Sequence, residues 1–251
     1  MFYDIIDVCR FRVLSTKLLN NSLMLAGLIL SVDASGQSNK VKLSQLMTAD
    51  MIGVQIAYIE NIVGPAKRIS GSSREYQIGG CTVNIIADQK DNSISSIELT
   101  NINKNCDFDS SNIFLNGRAS TLLFKNVISL RGNNWFAYYS CFEACGNAAD
   151  PTYGAFVDAP RVQQFMNYSF KVEWNKSSSQ AADKLHKSLK MKYPKVQNWI
   201  GGYPDHFISK SVYSGLWYEA FKDVRISSLK FGYKILNDKT DYLQRDDFQM
   251  Q

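Results

Sequence analysis

Two cysteines four residues apart, Cys141 and Cys145, run directly into Gly146-Asn147 and then Asp150-Pro151. Gly146 and Asn147 tolerate positive φ, and Pro151 cannot continue a helix. A Cys141–Cys145 bond would close a very small loop, within reach on one helical turn though near its limit. The stretch therefore reads as a covalently closed corner, with apolar strand-like sequence on both sides.

Whether such a bond forms depends on the compartment, and the first residues speak to that. Arg10, Arg12 and Lys17 precede an apolar run from Leu23 to Leu30, and Val32-Asp33-Ala34 offers a small-residue site. Basic region, short apolar core and small-residue site together read as a secretory signal peptide over residues 1–34. Asn20 and Asn21 at the entry, and the shortness of the core, weigh against a membrane anchor. An uncleaved anchor or a buried helix is the competing reading. Cleavage removes Cys9 and leaves Cys81, Cys106, Cys141 and Cys145. An even number in an exported chain implies disulfides. The expected pairs are Cys81–Cys106 and Cys141–Cys145, in a protein that is periplasmic or secreted. Zinc would want close ligand pairs on both sides, and only one side has one. A redox dithiol spaces its cysteines by two residues, not three.

The leader carries three cations and three acids (Asp4, Asp7, Asp33), so its loss leaves the net charge of +5 unchanged. That balance is too mild for a nucleic-acid binder. Hydrophobic residues at 45% and charged residues at 20% exclude a wholly disordered chain.

Along the chain, residues 35–43 are polar and read as a loose leader. Thr48 is placed to cap a helix in which Ile52, Ile56, Ile59 and Val63 share one face, with Gly64-Pro65 ending it. Tyr76–Ile78, Thr82–Ala87 and Ile94–Leu99 read as strands, with 88–92 as a hairpin loop. Residues 107–117 are polar and read as a solvated boundary between halves. Thr121–Phe124, Val127–Leu130 and Trp135–Tyr139 read as strands. Pro151–Pro160 reads as a loop. Met166, Tyr168, Phe170, Val172 and Trp174 alternate with polar residues, as five apolar positions on one strand face. A helix after Ser177-Ser178-Ser179 buries Ala182, Leu185 and Leu189 and shows Lys184, Lys187 and Lys190 outward. Ser214–Phe221 is a short helix, and Arg225–Ile235 the last strand. The fold class is α+β. A helix-plus-antiparallel-meander module over 35–107 is followed by a second antiparallel sheet packed with helices over 118–236, and 237–251 is a mobile tail.

The succession of a helix, Val63–Arg68, Tyr76-Gln77-Ile78-Gly79-Gly80-Cys81-Thr82-Val83, a hairpin and Ser95-Ser96-Ile97-Glu98-Leu99 resembles the small envelope module of the SmpA/OmlA (BamE-like) proteins. The β-lactamase inhibitor proteins are built from similar modules. The resemblance covers roughly residues 48–106 and implies an α+β scaffold used for protein contacts. Cys81 and Cys106 are not part of the BamE-like pattern. In the second half, Cys141 to Pro151, a basic helix and Phe221–Tyr233 together resemble a family of uncharacterised exported bacterial proteins, for which no activity is implied.

These readings point to a non-enzymatic protein-binding module of the bacterial envelope. The expected interface anchors are loop aromatics, Tyr153, Phe156, Trp199 and Tyr203, or an exposed sheet face, and the expected partner is another envelope or secreted protein. No cofactor, metal or nucleic acid is expected. Aromatic runs such as Trp135–Tyr139 are read as sheet core in preference to sugar-stacking platforms. One alternative is a hydrolase-type enzyme whose carboxylates, drawn from Glu143, Asp150, Asp158 and Glu219, converge from distant loops. Another is a protein that binds anionic surfaces through Lys184, Lys187 and Lys190. His186 and His206 do not make a metal site or a catalytic triad.

Overall fold

In Cys81–Ala87 buried and partly exposed side chains alternate at every step, so one face of the strand is dry and the other wet. This strand is β3. It pairs with β2 (Ser73–Ile78) across the Gly79-Gly80 turn and with β4 (Ile94–Thr100) across residues 88–93. The β3–β4 register slips between Ile86 and Ala87, leaving Ser95 as an extra residue in β4. That bulge is why Ile94 and Ile97, three apart, both reach the core.

The computed structural model describes residues 34–128, 135–140, 151–158, 166–192, 206–209, 212–233 and 235, within one compact unit, Asp33–Gln251. Its remaining strands are β1 (Arg68–Ser70), β5 (Trp135–Ser140), β6 (Thr152–Asp158), β7 (Asn167–Val172), β8 (His206–Ser209) and β9 (Ser228–Gly232). Among the described residues all nine strands form one sheet, in the order β1-β2-β3-β4-β9-β7-β6-β5-β8. Every pairing is antiparallel. With the helices this makes an α+β protein. The joint is β9: it comes from the end of the chain and pairs with β4 on one side and β7 on the other.

One face of the sheet supplies Val83, Ile85, Ile97, Leu99, Tyr168, Phe170, Leu229 and Phe231 to a single apolar core. Helices α1 (Ala34–Leu46), α2 (Ile56–Val63), α3 (Phe124–Ile128), α4 (Lys176–Lys192) and α5 (Val212–Phe221) bury residues in that same core. Each fully buried large aliphatic or aromatic side chain contributes about 1.5–3 kcal/mol by leaving water. Asn175 starts α4 by accepting the amides of Ser177 (2.9 Å) and Ser178 (3.1 Å) on its side-chain oxygen. Ala182, Leu185 and Leu189 are buried as the periodicity predicts, and so are Tyr168, Phe170 and Val172 of β7, with Met166 just before it.

The polar stretch 35–43 is not a loose leader but belongs to α1, because Leu43 and Leu46, with Met47 beyond, are fully buried and hold the helix from one side. The helix expected over 48–63 is interrupted. Ala49–Met51 is a 3₁₀ turn, and Gly53 N and Val54 O bond Ile94 O and N, both at 2.8 Å. The backbone there is committed to β4 and cannot bond along a helix. The Thr48 side chain caps nothing and instead donates to the Asn112 carbonyl at 3.5 Å. Residues 124–128 form α3 where strands were expected, because Phe124, Val127 and Ile128 fall on one helical side and Phe124 packs edge-on against Trp217 at 4.8 Å.

Residues 107–117 are not a solvated boundary. Phe108, Ser110, Ile113 and Leu115 are buried, and the Ile113 carbonyl accepts the Tyr168 hydroxyl at 2.9 Å. The Asp107 carboxylate fastens this segment, accepting the Ser120 amide (2.8 Å) and Arg118 Nε (2.8 Å). Asp107→Ala is expected to lower stability by about 1–3 kcal/mol, because it orphans a buried amide. Asp107→Asn keeps an acceptor for Ser120 and should lose well under half of that, since Arg118 is exposed. Urea unfolding of both variants checks the ranking. Equal losses would mean that the charge, and not the amide, is what matters.

Candidate functional site

On the side of the sheet away from the core, the middle strands carry mainly small and polar residues, with Ile86 of β3 among them. The polar ones on β3 are Thr82 and Asn84; on β4, Ser96, Glu98 and Thr100; on β9, Ser228 and Lys230; on β7, Ser169 and Lys171. Register places Glu98 opposite Lys230, and Lys171 opposite Ser228. Thr82, Asn84, Glu98, Thr100, Lys171 and Lys230 are partly exposed, while Ser96, Ser169 and Ser228 are buried between them.

Toward one end of this face the strands border a groove of about 290 Å³. Glu98 and Thr100 come from β4, Ser228 from β9 with Ser227 just before it, Lys171 from β7 with Glu173 and Trp174 just beyond, and Thr152 from β6. Lys171 Nζ lies 3.1 Å from Glu98 Oε1, which also accepts the Ser228 hydroxyl at 3.2 Å. The Ser227 hydroxyl donates to the Lys171 carbonyl (3.2 Å) and accepts the Glu173 amide (2.7 Å). Trp174 is 39% exposed, and Tyr153 stacks against it at 6.2 Å. By alternation Trp174 belongs with the core face of its strand. It sits beyond the end of β7, past the last β6 partner, and so escapes full burial. The arrangement joins an aromatic surface, two carboxylates, an ammonium and hydroxyls in one hollow.

The residues expected to matter are distributed otherwise. Cys81 and Cys106 are bonded, with Cα atoms 5.4 Å apart, as expected. Cys141 and Cys145 lie outside the described residues, as do Trp199, Tyr203, Glu143 and Asp150. Tyr153 and Phe156 are in β6, not in a loop, and both are buried. Tyr153 alternates inward with Ala155 and Val157 against β7, and its ring meets Phe221 at 4.9 Å. Phe156 points to the other face and stacks on Tyr138 at 4.5 Å, with Ile235 in the same small cluster. The Tyr138 ring crosses Gly154 so closely that a Cβ there would stand 2.3 Å from its Cζ, and its hydroxyl meets Ser169 Oγ at 3.2 Å. Both rings are therefore packed within the protein, on a strand and not on a loop.

Asp158 ends β6, and Glu219 lies exposed on α5, where it pairs with Lys222 at 2.8 Å. Lys184 donates to the Glu219 carbonyl and so serves the end of α5, where a cation suits the helix dipole. Lys187 and Lys190 are exposed. Nearby, a hydrogen bond from Lys125 at 2.7 Å, reinforced by the charges of Lys125, Lys222 and Lys184, holds the Asp223 carboxyl below its ordinary range. Part of the basic character of this corner is thus already answered by acids. Among the described residues no group of three or more His, Cys, Asp and Glu is disposed to hold a metal ion, and no helix is long and apolar enough to cross a membrane.

The groove leaves almost no trace in the sequence. Its one local signal is outward alternation in β4 and β7, which says only that Glu98 and Lys171 face away from the core. Comparison of the chain with family models, curated proteins and solved structures found no match.

Proposed function

We propose that the chain is an exported, disulfide-stapled protein of the bacterial envelope that acts without catalysis, by docking another protein on the face of its sheet opposite the core. The observation that carries this reading is the partly exposed surface of β3, β4, β9 and β7. Four adjacent strands present polar side chains there, while the five helices among the described residues bury residues in the core on the other side. Backbone paired on both sides makes a stiff platform, and a stiff platform loses little conformational entropy on binding. The Cys81–Cys106 bond supports an oxidising compartment, where such bonds persist. The likeness of residues 48–106 to BamE-like and β-lactamase-inhibitor modules points the same way, since such modules serve protein contacts.

The test is a photo-crosslinking residue placed singly at Thr82, Asn84 or Thr100 on the sheet face, or at Gln180 or Lys187 on α4, in the full chain expressed with its leader. A discrete protein adduct from the sheet positions, absent from the α4 positions, is the expected result. Adducts from α4 alone, or none from the sheet positions, would overturn the reading.

A further inference from the structure

We propose that the groove beside Trp174 binds a single ring of a neutral saccharide. This goes beyond protein docking and does not depend on it.

The groove has the size of a single ring. About 290 Å³ lies at the lower end of ligand pockets, roughly 300 Å³. That suits one sugar ring better than a nucleotide or a lipid chain. Trp174 is partly exposed, lines the groove, and is backed by the Tyr153 ring. A pyranose has an apolar face whose C–H bonds are slightly positive, and the indole face is negative, so the two stack. Backing by Tyr153 holds the indole in place before any ligand arrives.

The chemistry of the polar lining selects a neutral ligand. Glu98 and Glu173 are acceptors, Lys171 is a donor, and Thr100 and Thr152 are both. An anion would meet two carboxylates. A cation would meet the Lys171 ammonium in the same hollow. Neighbouring sugar hydroxyls avoid both conflicts, one donating to a carboxylate while the next accepts from the ammonium. Glu98 Oε1 is held by Lys171 and Ser228, and Oε2 has no partner among the described residues, so the carboxylate is oriented with an acceptor to spare. Orientation before binding reduces the entropy lost on binding.

The experiment is an NMR titration of the full chain, following the tryptophan indole N–H signals. The chain has four tryptophans, and Trp174→Phe assigns the signal of interest by its loss. The probes are short oligomers of glucose, N-acetylglucosamine, galactose and mannose, with glucose 6-phosphate and arginine amide as charged comparisons. A saturable shift of the Trp174 signal with at least one neutral oligomer is expected. Affinity for it, followed on backbone amides, should fall at least tenfold in Trp174→Ala and in Glu98→Gln. An unchanged thermal midpoint in Glu98→Gln separates lost binding from lost folding. No saturable shift at about 10 mM of any neutral probe, ten times a 1 mM dissociation constant, would overturn the proposal. Tighter binding of arginine amide or of the phosphate than of every neutral sugar would also overturn it.

Discussion

Gly232→Ala is expected to lower stability by about 3–5 kcal/mol, combining backbone strain with an overpacked contact that cannot relax. Gly232 ends β9 at φ +151°, opposite Ser96 of β4 and Asn167 of β7. A Cβ added there would stand 2.2 Å from the Ser95 carbonyl oxygen and 2.6 Å from Ser96 Cα. Both atoms belong to the backbone of the bulged strand, so no side chain can swing aside. The Ser95 carbonyl also accepts the Tyr233 amide at 2.9 Å, which keeps the two strands pressed together. Gly215 is the internal control. It is exposed within α5 with nothing within 4 Å of an added Cβ, so alanine there should be neutral or stabilise by up to about 1 kcal/mol. Urea unfolding measures both variants. A Gly232→Ala loss below about 1 kcal/mol would show that the β4–β9 joint yields where its packing says it should not.

Removing the Cys81–Cys106 bond is expected to destabilise the fold by roughly 3 kcal/mol. The bond joins residues 25 apart, from the start of β3 to the loop after β4, and restrains the unfolded chain accordingly. Both sulfur-bearing residues are buried, so reduction does not gain hydration of the thiols as compensation. In a domain of this size the thermal midpoint should fall by about 6–12 °C in Cys81→Ala/Cys106→Ala. Thiol titration of native, unreduced protein should find neither cysteine reactive. A midpoint that reduction leaves unchanged would mean that the packing of 101–109 alone holds the loop. Free thiols in freshly isolated protein would remove the argument for an oxidising compartment.

The two predictions differ in what made them legible. The cysteine pair was visible because a strand begins at one cysteine and the next strand ends before the other, a relation internal to one meander. Gly232 carried no such signal. Its neighbour in β4 is Ser96, far back in the chain, and nothing local says that β9, paired with β7 on one side, also pairs with β4 on the other. Trp174 is similar. Its alternation with Met166, Tyr168, Phe170 and Val172 reads as core, and only the point at which β6 stops pairing leaves it partly exposed. The misreading of 152–158 has a more local cause. Tyr153, Ala155 and Val157 do alternate, but flanking prolines and Gly154 carry turn signals that outweigh a short apolar period.

What the chain determined by itself is what repeats over short distances. The dry face of β3, the buried line of α4, the inward positions of β7 and the α+β class all follow from periods of two and 3.6, which are properties of backbone geometry. Tertiary structure alone decided that α1 is a helix, since its polar sequence folds only where Leu43 and Leu46 have a core to enter. It alone decided the groove, whose wall joins residues 98, 100, 151–152, 171–174 and 227–228. Those pieces meet because antiparallel pairing brings distant segments side by side, and the pairing of β9 is set by the core they share and not by any local pattern.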